Sequence, residues 1–131
     1  MADAVEDWKA ESIPDIDILY MRVHKSYFFD GVLAPGVFRD REEAMSTDWS
    51  KYSTARDTQM RARTPGDNSV IQFQTGHVRE IPLTVRHTPD VARKNRAHSD
   101  VIGEKATEVR VKLYRSSSII LDAGWGIIRR Y

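Results

Sequence analysis

Arg22 and His24 stand two residues apart in an alternating run from Ile16 to His24. In a strand the pleat points both to the same side of the sheet, so a guanidinium and an imidazole converge on one ligand. His87 closes a second alternating run that places Ile81, Leu83, Val85 and His87 together, and His98 and Asp100 precede the last helix. Gathered by the fold, Arg22, His24, His87 and His98 form a set suited to phosphate esters. Imidazoles titrating near neutrality serve as general base and general acid, while Arg22 neutralises charge on phosphoryl oxygens. Asp100 is the carboxylate that would hold His98 in one tautomer.

A basic run, Arg93, Lys94 and Arg96, reads as a phosphate guide beside that set, and Trp125 in Gly124-Trp125-Gly126 offers a ring for stacking on a base. The expected function is therefore an Arg/His pocket for a phosphate-bearing ligand, a nucleotide or nucleic acid. The catalytic alternative is metal-independent, ribonuclease-like phosphodiester chemistry. A third class, a protein-interaction or accessory subunit, rests on Trp8, Trp49 and Trp125 with Arg129 and Arg130, because Trp and Arg are enriched at interface centres. Against it, Trp49 and Trp125 serve equally well as core.

Other chemistries lack their residues. The chain has no cysteine, which removes disulfides, thiolate metal sites and thiol nucleophiles and fits a reducing, cytoplasmic compartment. His24, His87 and His98 show no short metal-ligand spacing, so no metal and no cofactor are expected. There is no phosphate-binding glycine loop, nucleophile elbow or calcium loop.

The positioning elements follow from periodicity and breakers. Residues 16–24 read as a strand, 25–48 as a packed loop punctuated by Asp30-Gly31 and Pro35-Gly36, and 51–62 as a weak helix capped by Ser50 or Ser53. Val70 to Thr75 reads as a strand ended by Gly76, 81–87 as an edge strand because of Pro82, and 90–96 as a loop. Ala106, Val109 and Leu113 form the seam of the best helix, 104–115, followed by a short buried strand at 119–121. The fold class is α+β, a small mainly antiparallel sheet with one or two helices.

The chain has 131 residues, 40% hydrophobic and 30% charged, the size and balance of one globular domain with no membrane-spanning run. Its net charge of +1 hides an asymmetry, since residues 1–17 hold six acids against Lys9 alone. We therefore expect an acidic flexible leader, 1–13, ahead of a single domain, 14–131, whose excess positive charge favours anionic partners.

Overall fold

The structure is a computed structural model and describes residues 8–40 and 44–122. Its strands are β1 (Ile18–His24), β2 (Phe28–Phe29), β3 (Val32–Leu33), β4 (Met45–Trp49), β5 (Asn68–Gln74), β6 (Thr84–His87), β7 (His98–Ile102) and β8 (Ser118–Leu121). The α-helices are α1 (Ala55–Met60), α2 (Thr75–Glu80) and α3 (Thr107–Ser116). Six strands form one sheet in the order β6-β7-β4-β1-β5-β8, with every pairing antiparallel, while β2 and β3 make a separate hairpin. The architecture is α+β.

Side-chain parity divides the sheet into two unlike faces. On one, Leu19, Met21 and Val23 of β1 join Ile71 and Phe73 of β5, Met45 and Trp49 of β4, Val101 of β7 and Val85 of β6. Val78 of α2, Leu113 of α3 and Phe38 complete the same apolar cluster. The opposite face is polar and carries α1, which packs against β1 and β5.

Five local outcomes differ from the sequence reading. Residues 25–48 hold the β2–β3 hairpin and the central strand β4 rather than only loop. The hairpin turn uses Asp30 and Gly31, both at positive φ (51° and 78°), the conformation favoured in tight hairpin turns. β5 does end just before Gly76, at Gln74, but the chain passes directly into α2, which contains Gly76. The first amides of this helix find the carbonyls of the distant N-terminal segment, Thr75 N–H donating to Asp17 and Gly76 N–H to Asp15. That segment runs so close that a Cβ on Gly76 would meet Asp15 at 3.1 Å.

α3 begins at Thr107, not 104, because Lys105 is spent elsewhere: its buried Nζ donates to the Val101 and Gly103 carbonyls and to Asp40. α1 is capped by Thr54 rather than Ser50 or Ser53, in a reciprocal capping box with Asp57. β7 arises in residues that the sequence reading left unassigned.

Residues 8–13 of the acidic segment pack against the body. Ile13 is buried at 3% exposure, which contributes about 2 kcal/mol of hydrophobic stabilisation. Among the described residues no helix is long and apolar enough to cross a membrane.

Candidate functional site

The polar face of the sheet floors an open cleft of about 1240 Å³. Strand register explains its polar floor, although Met21, Met45 and Thr47 from the other parity also contribute to the lining. Tyr20, Arg22 and His24 alternate outward from β1, and Tyr20 pairs with Asp48 on β4, which pairs with His98 on β7. Ser46 pairs with Asp100 in the same way. Because directly opposed residues share a face, Ser46, Asp48, His98 and Asp100 stand beside Tyr20, Arg22 and His24. Arg39, Thr58 and Arg61, together with Asp90, Arg93 and Asn95 of the loop before β7, wall the cleft.

Asp48 is the fixed point of this arrangement. It is 4% exposed. One carboxylate oxygen accepts from Thr58 Oγ1 and Arg61 Nη1, each at 2.8 Å, and the other accepts from Asn95 Nδ2 at 2.8 Å. Arg61 also donates to Ser53 Oγ, so α1, β4 and the loop before β7 are tied together through one buried anion. Arg22 donates to the Thr58 carbonyl at 3.0 Å, which lays its guanidinium along the cleft.

The two cleft imidazoles are held in different states. His24 caps a single 3-10 turn (Lys25–Tyr27), its Nδ1 accepting from Ser26 N–H at 3.1 Å. In the neutral ring the proton then sits on Nε2. His98 Nδ1 lies 2.9 Å from the Thr88 carbonyl, which can only accept, and 3.0 Å from the Thr88 hydroxyl, which can donate or accept; with the ring proton on Nδ1, facing these two oxygens, Nε2 presents a lone pair. That lone pair faces Ser46 Oγ at 3.2 Å, with an Asp100 carboxylate oxygen 3.9 Å away.

The remaining expected residues scatter. His87 does not join the cleft: it pairs with Ser99, one residue beyond His98, and so projects from the other face. It is 2% exposed, packed edge-on against Trp49 and stacked on Tyr52. Both its nitrogens are engaged, Nδ1 accepting from Glu11 N–H and Nε2 donating to the Arg96 carbonyl. Arg96 belongs to that rear cluster as well, its guanidinium 4.4 Å from the Tyr52 ring centre and 5.9 Å from that of Trp8.

Arg93 lines the cleft but is committed to Asp90, which accepts from both its backbone N–H and its Nη1. The Arg93 bond is the main cause holding the Asp90 carboxyl below the usual carboxylate range. Lys94 sits at φ 56° in an exposed turn, away from the cleft lining. Trp125 lies outside the described residues. Trp49 fills the core, its indole N–H donating to Asp17 at 2.9 Å. No group of three or more His, Asp or Glu among the described residues could hold a metal ion.

Ser46, Asp48 and Asn95 are not among the site residues expected from the sequence. The signal for the first two was present: Met45, Thr47 and Trp49 alternate with Ser46 and Asp48, the pattern of a strand with one apolar and one polar face. For Asn95 no local signal exists, since its place depends on its bond to Asp48.

Compared with family models, curated proteins and solved structures, the chain matches none.

Proposed function

We propose that the cleft binds a phosphate-bearing ligand, a nucleotide or a segment of nucleic acid. The observation that carries this reading is that Arg22, His24 and His98 project from one sheet face into one cleft walled by Arg39 and Arg61. Guanidinium and imidazole N–H groups are the donors that phosphate oxygens select, and charge-assisted bonds of this kind are stronger than neutral ones. Tyr20 and Tyr27 also line the cleft, and an aromatic lining favours a nucleotide over bare phosphate.

A ribonuclease-like reading would draw its acid and base from His24 and His98, because His87 faces away. His24 spends its Nδ1 lone pair on the Ser26 amide, and protonating that nitrogen would break the cap. We therefore assign His24 the part of an Nε2–H donor to the ligand, and binding is the better-supported reading.

Titration calorimetry with adenosine monophosphate in 50 mM salt tests this. Arg22→Ala should weaken binding at least tenfold, the loss of about 1.5–3 kcal/mol for a charged hydrogen bond. His87→Ala, measured on its folded fraction, should leave affinity unchanged. Binding that is absent in the unaltered chain, or equal in both variants, would refute the assignment.

A further inference from the structure

We propose that Ser46 is a nucleophile activated by His98, so that the cleft cleaves a phosphoester rather than only holding it. Ser46 Oγ lies 3.2 Å from His98 Nε2, the nitrogen left with a lone pair in the tautomer whose Nδ1–H donates to the Thr88 carbonyl at 2.9 Å, with the Thr88 hydroxyl 3.0 Å from the same nitrogen. A nucleophile, a base within reach of its proton, and a third group orienting the base are the geometric signature of an activated hydroxyl. The backbone carbonyl takes the orienting place that a carboxylate fills elsewhere, and it is the firmer tether, being part of the chain between β6 and β7.

Two charges complete the arrangement. The Asp100 carboxylate, 3.9 Å from Nε2, faces the nitrogen that becomes positive when the serine proton arrives. Arg61 is fixed by Asp48, which follows Ser46 by two residues on the same face of β4, about 7 Å along the strand. A guanidinium is thereby stationed in the cleft for phosphoryl oxygens.

In the first step Oγ forms a bond to phosphorus as the bond from phosphorus to the leaving oxygen breaks. The Oγ proton passes to Nε2 and from there to the leaving oxygen. Water then attacks phosphorus, gives one proton to Nε2, and releases Oγ, which recovers that proton; the net change is hydrolysis.

The substrate class rests on the phosphate-binding reading above, but the serine's reactivity is measurable without it. A fluorophosphonate reports the first step alone: Oγ bonds to phosphorus, fluoride leaves, and His98 takes the proton. Treating the full chain and mapping adducts by mass spectrometry should find Ser46 modified well ahead of Ser116, a serine whose hydroxyl donates to the Lys112 carbonyl. Ser46→Ala should abolish that adduct. His98→Asn keeps an amide donor for the Thr88 carbonyl but supplies no base, and should slow labelling about 100-fold, the usual scale of general-base assistance; His98→Gln gives the same comparison should the first variant fold poorly by circular dichroism. Labelling of Ser46 no faster than of Ser116, or unaffected in a folded His98 variant, overturns the proposal. Nucleotide affinity is measured separately, so failure here leaves the binding reading standing and failure there leaves the serine's activation standing.

Discussion

Asp48 carries more of the site than any residue that touches its mouth. A carboxylate at 4% exposure is tolerable only because Thr58, Arg61 and Asn95 together supply three donors, since an unpaired buried charge costs several kcal/mol. Asp48→Ala leaves those donors facing a small void. We expect a loss of about 3 kcal/mol in urea unfolding, with nucleotide affinity falling in the folded fraction as Arg61 is released. Asp48→Asn, which keeps the shape and one acceptor oxygen, should retain part of that stability; a variant as stable as the parent would contradict the role. At this scale the sequence displayed Arg22, His24 and His98 as chemistry-bearing side chains. It could not display Asp48 as their organiser, because its partners come from 10, 13 and 47 positions away.

Strand parity separates the three histidines that a reading of residue types groups together. β6 starts only at Thr84, so Val85 and His87 alone share its inward face, but that face is the core face, and Ile81 and Leu83 just before the strand are buried as well. His98 pairs with Asp48 and Ser99 with His87, so a single-residue offset sends one imidazole to the cleft and the other to the core. β4 and β7 lie at the centre of this division; β7 is short, with His, Ser and Asp as its first three residues, which is why its strand character is faint in isolation.

The turn out of β7 fixes where that strand ends. Gly103 adopts φ 139°, and a Cβ there would come within 2.6 Å of Leu83 Cδ2. Gly103→Ala should therefore cost about 2 kcal/mol in thermal or chemical unfolding, mainly from backbone strain. A change under a few tenths of a kcal/mol would show that the turn relaxes freely.

Across the whole molecule, the segment leading to β1 acts as a strap over the rear of the sheet. Ile13 enters the core, Glu11 N–H caps His87, and the Glu11 carboxylate accepts from Lys51 Nζ at 2.5 Å and from the Tyr52 hydroxyl. The Lys51 bond, then the Tyr52 bond, hold this carboxyl below its usual range. A carboxyl whose folded pKa is depressed stabilises the fold fully above its unfolded value, about 4.3, and loses that contribution as pH falls through the folded value. Thermal unfolding of the parent and of Glu11→Gln should accordingly differ at pH 7, the parent being the more stable, and the gap should close as acidification protonates the Glu11 carboxyl in the folded chain. A gap that persists or widens on acidification would remove Glu11 from the account.

What the sequence determined by itself was whatever depends on neighbours in the chain: the α+β class, the alternation that puts Arg22 beside His24, the helix seam of Ala106, Val109 and Leu113, and the turn residues Asp30 and Gly31. Pleat, helical repeat and turn sterics act over two to four residues and leave their mark in order and spacing. Only the tertiary structure decided which alternating face meets the core, because that depends on which strands pair and in what register. The same pairing built the Asp48 knot, set Ser46 against His98, and buried His87 behind the sheet, all from residues that no local rule connects.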